Sequence, residues 1–265
     1  MCRHLAYLGP PVTLADCVLH QPHSLVDQSW APTDMRGGGT VNADGFGIGW
    51  LVGDQDDSAA GSKGGGACRA SRYRRDRPIW SDASLVDLAA SITSGAILAA
   101  VRSATVGMPV TETACAPFVE GPWMFSHNGV IDGWPDSVAS MGDALPAVVL
   151  MTLEAPTDSA FLWALVRGHL RDGSSAATAL ARVVVEVLAL APRSRLNLLL
   201  HDGQHIAAST VTHSLWVQQG EGSVTVSSEP LNPDEKRWQP VPDLCLLEAT
   251  DSRCSIRPLS DAHPL

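Results

Sequence analysis

Charged residues and the common motifs for nucleotides and metals are scarce in this sequence. Only 17% of its 265 residues are charged, and the excess of acidic side chains gives a formal net charge of −10. An acidic protein repels nucleic acid and anionic membranes, so we expect neither as a partner. No GxGxxG or P-loop motif opens a helix, and no HExxH motif groups the nine histidines. We therefore expect no cofactor and no metal site.

The six cysteines also lack the CxxC spacing of zinc ribbons and redox motifs. No secretory signal is visible, and the most apolar stretch, residues 176–191, contains Arg182 and Glu186 and is too short to cross a bilayer. These features predict a cytoplasmic protein with reduced thiols. They leave its oligomeric state open, a homo-oligomer included.

Short strands near both ends of the chain enclose two long helical segments, which predicts an α+β fold with antiparallel sheets covered by helices. Apolar residues recur at helical spacing in 158–170 and 175–190. Strand patterns occupy the segments 4–8, 41–52, 97–102, 123–127, 195–200, 205–210, 215–218, 223–227 and 244–249.

Glycine, proline and basic residues mark further features between the strands. Gly9-Pro10-Pro11 should end the first strand, and Thr13 should cap a short helix. Residues 53–68, rich in Asp, Ser and Gly, predict a flexible insertion. The basic run 69–77 predicts a solvated strand edge, with an anion site as the alternative.

Cys2 is suited to act as a nucleophile if Met1 is removed, because aminopeptidases release methionine when the next side chain is small. The mature chain would then carry a thiol and a free α-amine on one residue. An α-amine has a pKa of about 7.7–8.0, so it can accept the thiol proton and later donate it to a leaving amine. A cysteine at this position also arises by chance, so the hypothesis needs partners elsewhere.

Other residues could assist Cys2 by binding the oxyanion that forms during attack on an amide and the two charges of a γ-glutamyl substrate. The Asn128 side chain and the Gly129 N–H, at the end of an apolar strand, suit an oxyanion hole; a plain Asn-Gly turn is the alternative. Arg102 suits bidentate binding of a carboxylate, and a surface arginine is the alternative. Asp158, at a helix start, suits an ammonium group, and an N-terminal helix cap is the alternative.

Taken in order, these segments resemble class II glutamine amidotransferase domains. The matching motifs are 2–3, 44–50, 101–105, 127–131 and 157–159. The resemblance implies an N-terminal-nucleophile (Ntn) hydrolase: a four-layer αββα sandwich with two stacked antiparallel sheets, formed by residues 2–265 as a single domain. It also implies roles. Cys2 would be the nucleophile with its own amine as base, Asn128 and Gly129 the oxyanion hole, Arg102 the α-carboxylate ligand and Asp158 the α-ammonium ligand.

Other stretches resemble, more narrowly, the γ-glutamyl amidohydrolases of ergothioneine biosynthesis. They are 1–9, 22–25, 28–32, 41–47 and 227–231. This resemblance implies a small-molecule substrate, γ-glutamyl-hercynylcysteine S-oxide, and hydrolysis to glutamate and hercynylcysteine S-oxide. Ala116 and Ala160 depart from the wider family, which often has His and Glu there, and they fit a substrate larger than glutamine. Candidate aromatic contacts for a trimethylated histidine cation are Trp30, Trp50, Trp80, Trp123 and Trp134.

Two other functions remain open from the sequence. A glutaminase subunit of a two-chain amidotransferase would release ammonia from glutamine for a synthase partner. A catalytically inert Ntn fold would serve as a binding or regulatory module. The stand-alone hydrolase is favoured because the predicted layers use most of the chain, which leaves no synthase domain to consume ammonia.

Overall fold

The computed structural model describes residues 2–36, 39, 41–52, 68–232 and 236–262. Met1 and positions 53–67, which make up most of the predicted insertion, lie outside the described residues. Within the described ranges, every paired strand is antiparallel to its neighbours and the strands form two sheets.

The first sheet has seven strands, and it contains the beginning of the chain. Its strands are β1 (Arg3–Thr13), β2 (Phe46–Val52), β3 (Arg69–Arg75), β4 (Thr93–Val101), β9 (Trp216–Gly220), β10 (Ser223–Ser227) and β11 (Trp238–Pro240). Their order is β11-β9-β10-β1-β4-β2-β3, so β1 is central, between β10 and β4.

The second sheet has six strands and carries the predicted Asn-Gly motif. Its strands are β5 (Phe118–Glu120), β6 (Trp123–Val130), β7 (Arg195–His201), β8 (Ile206–Thr210), β12 (Cys245–Ala249) and β13 (Cys254–Pro258), in the order β13-β12-β8-β7-β6-β5. The helices are α1 (Leu14–Val18), α2 (Leu25–Trp30), α3 (Leu85–Ser91), α4 (Ala139–Gly142), α5 (Ala147–Met151), α6 (Asp158–Arg171) and α7 (Ala176–Leu190).

Three apolar clusters hold these elements in four layers. The central cluster packs side chains such as Leu98 of the first sheet against Met124 and Leu199 of the second. A second cluster covers the outer face of the first sheet with α1, α2 and α3. The third covers the outer face of the second sheet with α6 and α7. The predicted αββα sandwich with two stacked antiparallel sheets is therefore confirmed.

The two long helices form where apolar periodicity and a capping side chain coincide. Thr157 accepts a hydrogen bond from the Ala160 amide at 3.2 Å and begins α6, and Ser175 accepts one from the Thr178 amide at 3.2 Å and begins α7. No helix among the described residues is long and apolar enough to cross a membrane.

The prediction that Gly9-Pro10-Pro11 ends the first strand is wrong. β1 continues to Thr13, and its register against β4 shifts between Leu8 and Val12. The prolines lie inside this irregularity, where their missing N–H groups break no ladder bond to β4. Thr13 caps α1 as predicted, accepting from the Asp16 amide at 2.9 Å.

The basic run forms the edge strand β3, and its arginines bind the protein's own carboxylates. Arg72 and Arg74 both contact Glu154, with N–O distances of 2.7 and 2.9 Å. Arg75 lies 3.1 Å from Glu112. This pairing favours the strand-edge interpretation over an anion site, and it fixes the segment that leads from Glu154 into α6.

Candidate active site

Cys2 lies one residue before β1, at the end of the first sheet where β4 also ends. Arg3 pairs with Val101, the last residue of β4. The Cys2 Sγ lies 3.9 Å from the Ser103 carbonyl oxygen, in the segment that follows β4. Side chains alternate along a strand, so Cys2 faces the same way as His4. The His4 Nδ1 is 3.2 Å from Ser126 Oγ of β6, so that face is directed at the second sheet.

A small pocket brings the Cys2 thiol together with several predicted site segments. Its lining includes Cys2, Phe46, Arg102, Cys115, His127 and Ser159. Two of the predicted site residues, Cys2 and Arg102, therefore line one pocket. Asn128, Gly129 and Asp158 do not line the pocket themselves. Asn128 and Gly129 directly follow the lining residue His127, and Asp158 directly precedes the lining residue Ser159.

Asn128 is fully buried and directed between the sheets. Neither its Oδ1 nor its Nδ2 has a hydrogen-bond partner among the described residues. A buried amide without partners costs about 1–3 kcal/mol, so such groups are rare unless a ligand uses them. The alternative of a plain Asn-Gly turn is wrong, because Asn128 and Gly129 lie inside β6 and pair with Asn197 and Leu196 of β7.

Gly129 lies in β6 opposite Leu196 of β7, where there is no space for a side chain. A Cβ at position 129 would collide with the Arg195 carbonyl oxygen and would lie 2.7 Å from His127 Nε2. His127 Nε2 is 3.0 Å from the same carbonyl, which can only accept, so this nitrogen carries the hydrogen. The His127 Nδ1 is 3.1 Å from Ser159 Oγ and so joins β6 to the start of α6.

Arg102 is 9% exposed, so the alternative of a surface arginine is wrong. Its amide donates to Gly45 O at 2.7 Å, and its carbonyl accepts from the Asp44 amide at 2.9 Å. Its Nη1 donates to the Pro109 carbonyl at 2.9 Å. The backbone is thus held on both sides, while the guanidinium keeps further N–H groups that have no partner among the described residues.

Asp158 is the first residue of α6 and is 2% exposed. The helix cap is Thr157, so the alternative role of Asp158 as the cap is wrong. Its Oδ2 accepts from the Ile131 amide at 3.1 Å, and its Oδ1 accepts from the Ser159 amide at 2.7 Å. The carboxylate therefore ties the end of β6 to the start of α6 and retains capacity for another donor.

His4 and His213 are buried histidines that both lie near His127. Burial, with smaller contributions from the neighbouring His127, His213 and Arg3, lowers the pKa of His4 to about 3. Burial likewise lowers the pKa of His213 to about 3, with contributions from the positive charges of Arg195 and Arg3. Both imidazoles are therefore neutral at working pH and add no positive charge beside the thiol.

Sequence reasoning assigned no role to Glu229, although the stretch 227–231 contributed to the narrower resemblance. The side chain is fully buried and lies 3.0 Å from Arg3, the residue next to Cys2. A glutamate inside an otherwise uncharged stretch, Ser227-Ser228-Glu229-Pro230-Leu231, was the available signal, because a buried carboxylate needs partners.

One family model and two named relatives match most of this chain. Residues 20–221 match the family model described as glutamine amidotransferases class-II. A gamma-glutamyl-hercynylcysteine sulfoxide hydrolase of Mycolicibacterium smegmatis is 38% identical over 98% of this chain and 100% of its own length. The Mycobacterium tuberculosis protein with the same name is 36% identical over 99% of this chain and 98% of its own length.

Solved structures show the same architecture. A class-II domain protein of Silicibacter pomeroyi, described as a glutamine aminotransferase, has a TM-score of 0.66 and 22% identity over 97% of this chain and 99% of that one. The glutamine phosphoribosylpyrophosphate amidotransferase of B. subtilis has a TM-score of 0.63 and 12% identity, over 98% of this chain and 49% of that one. From the family match and the full-length relatives together, the chain belongs to the class-II glutamine amidotransferases.

Proposed function

We propose that this protein hydrolyses the γ-glutamyl amide of γ-glutamyl-hercynylcysteine S-oxide, releasing glutamate and hercynylcysteine S-oxide. The observation that carries the proposal is the similarity, over nearly the whole chain, to two mycobacterial hydrolases of that name. The pocket that holds both the Cys2 thiol and the Arg102 guanidinium supports amide chemistry on an amino-acid substrate. A thiol nucleophile stays active where thiols stay reduced, so the proposal includes a cytoplasmic location.

In the proposed reaction, removal of Met1 leaves Cys2 with a free α-amine, which takes the thiol proton. The thiolate attacks the γ-carbonyl carbon, and the negative charge that develops on the carbonyl oxygen is bound by Asn128 Nδ2 and the Gly129 N–H. The tetrahedral intermediate expels the amine of hercynylcysteine S-oxide, which receives the proton from the α-ammonium group of Cys2. Water then hydrolyses the glutamyl thioester, with the same amine as base.

Arg102 and Asp158 are proposed to bind the two charges of the glutamyl group. The Arg102 backbone is fixed by Asp44 and Gly45, so its guanidinium is pre-oriented for the α-carboxylate. Asp158 is buried, and its carboxylate accepts from the Ile131 and Ser159 amides while keeping lone pairs that can accept from the α-ammonium group. Two opposite charges at a fixed separation select for an α-amino acid.

The leaving group is large and carries a trimethylammonium cation, which favours an aromatic face at an open rim. Trp30, at the end of α2, is 54% exposed, whereas Trp134 packs on Phe161 with ring centroids 5.2 Å apart. Exposure therefore favours Trp30, together with Trp80 at 45% exposed, over Trp134 for this group. Ala116 lines the pocket and leaves space where a larger side chain would narrow it.

The proposal is tested by incubating purified protein with γ-glutamyl-hercynylcysteine S-oxide or with glutamine and following glutamate release. We expect faster turnover of the sulfoxide, none with Cys2→Ala, and full activity with Cys254→Ala, a matched change at another partly exposed cysteine. Intact mass should show that Met1 is absent from active protein. Faster turnover of glutamine would favour a glutaminase, and activity in Cys2→Ala or in protein that retains Met1 would refute the mechanism.

A further inference from the structure

Glu229 follows β10 and is fully buried, yet it is held by an unusually complete set of donors. One carboxylate oxygen, Oε1, contacts Arg3 Nη2 at 3.0 Å and accepts from the Asp34 amide at 3.1 Å. The other, Oε2, contacts His23 Nε2 at 2.7 Å, the Thr33 amide at 2.8 Å and Thr33 Oγ1 at 2.7 Å. The side chain therefore joins β1, the start of α2 and the segment after α2.

The arrangement requires an ionised carboxylate at position 229. The guanidinium and amide groups around Glu229 can only donate hydrogen bonds, so both of its oxygens must accept. Burial alone would raise the pKa of Glu229, but hydrogen bonds from His23 and Thr33 and the charge of Arg3 lower it to about 2. A glutamine would place an NH₂ group against at least one donor, although its shape is nearly the same.

Arg3 connects this carboxylate to the nucleophile. Its side chain is 1% exposed and its Nη2 also donates to the Asp34 carbonyl at 2.6 Å. Arg3 is the residue next to Cys2, and its side chain points away from the face that carries the thiol. Chain ends fray unless they are tied down, and a nucleophile displaced by about 1 Å can lose about 10²-fold in rate.

We propose that Glu229 is a positioning residue for the reaction: through Arg3 it holds Cys2 in place from the side opposite the thiol, and it fixes the segment after α2 at Thr33 and Asp34. This inference rests on the proposed function. Glu229 contacts neither the thiol nor the proposed substrate groups, so its effect is on where Cys2 lies. Its loss should therefore lower kcat through a displaced chain end.

The test compares Glu229→Gln with Glu120→Gln. The control removes a carboxylate on β5 of the second sheet, which is bound by Arg167 and Arg171 of α6. Three measurements are made: kcat and KM for glutamate release, the rate at which iodoacetamide alkylates Cys2, and hydrogen exchange in the peptide that begins at Cys2. Glu229→Gln should lower kcat by about 10- to 100-fold, raise exchange in the first residues of β1 and change alkylation of Cys2. Glu120→Gln should leave all three unchanged.

Arg3→Lys supplies a second variant, since it keeps the charge but cannot reach Glu229 and Asp34 with the same geometry. It should lower kcat at a temperature where circular dichroism shows the variant to be fully folded, and it should add little to the loss in Glu229→Gln because both act through one contact. If Glu229→Gln does not fold, Arg3→Lys decides alone, and an unchanged kcat overturns the proposal.

Other results would also overturn it. A Glu229→Gln protein with a lowered melting temperature but wild-type kcat would give Glu229 a purely structural role. Fully additive losses in the double variant would mean that Arg3 and Glu229 act separately. If the wild-type protein releases no glutamate from either substrate, the proposed function fails, and hydrogen exchange and Cys2 alkylation still decide whether Glu229 holds the chain end.

Discussion

Acidification to pH 5 should remove a large part of the protein's stability, because two buried histidines must stay neutral in the folded state. The pKa of His4 and that of His213 are each lowered by burial from 6.5 to about 3. The unfolded chain therefore takes up protons first as the pH falls. The contribution of each neutral histidine to the free energy of unfolding is fully present above about pH 6.5 and is lost as the pH falls from there toward 3.

The size of the effect follows from these pKa values. Between about pH 6.5 and 3, each pH unit lowers the free energy of unfolding by about 1.4 kcal/mol per histidine. At pH 5 the loss should therefore be about 2 kcal/mol for each histidine and about 4 kcal/mol for the two together. A domain is typically stable by about 5–15 kcal/mol, so the loss is large. The pKa of Glu229 is lowered from 4.5 to about 2, so its contribution is lost only below about pH 4.5 and does not enter.

Urea unfolding followed by tryptophan fluorescence at pH 8 and pH 5 measures this difference. His213→Leu should remove about 2 kcal/mol of the pH dependence, whatever it does to stability at pH 8. The fully buried His201, whose pKa burial also lowers, contributes to the dependence that remains. Ser214→Ala, which changes the adjacent buried polar side chain without removing a titratable group, should keep the full dependence. Equal stability at both pH values, or an unchanged pH dependence in His213→Leu, would refute the reasoning.

The proposed site roles give further expectations for glutamate release. Asn128→Ala should lower kcat by about 10²–10³-fold with little change in KM, since one oxyanion donor is lost, and a wild-type kcat would exclude the role. Arg102→Lys should mainly raise KM, because an ammonium group cannot bind a carboxylate bidentately, and an unaltered KM would contradict this. Asp158→Asn should raise KM and also lower the melting temperature, because the carboxylate accepts from the Ile131 amide; a change in neither would count against it. Cys2→Ser should be folded but severely impaired, because a hydroxyl is far less acidic than a thiol, and equal rates would rule out a thiolate.

The sequence predicted the long elements better than the edges of the sheets. Helices expected at 158–170 and 175–190 are α6 and α7 almost to the residue, because periodicity and caps are local signals. β5, β11 and β13 were not predicted, since short edge strands have little alternation of their own. The continuation of β1 past Gly9-Pro10-Pro11 depends on a register shift against β4, which no local pattern encodes.

The family was predicted correctly from ordered motifs, but the geometry of the site was not readable from any one of them. Asn128, Arg102 and Asp158 each had an ordinary alternative in sequence. Strand pairing removed it for Asn128, burial for Arg102, and the cap at Thr157 for Asp158. The contact of Arg3 with Glu229 joins residues near opposite ends of the chain, where sequence patterns carry no information. The chemical roles and the extent of the domain, 2–265, stay predictions.

The position of β1 has a consequence for how the enzyme becomes active. The first strand made is flanked by β10, one of the last, and its first side chain rests on Glu229. Pairings of such sequence separation form slowly. A chain shortened before this glutamate would contain Cys2, Arg102, Asn128, Gly129 and Asp158 and still leave its thiol on a loose end. If Glu229 positions Cys2 as proposed, translation must pass residue 229 before the nucleophile has a fixed place, and we expect chains that end before it to be inactive.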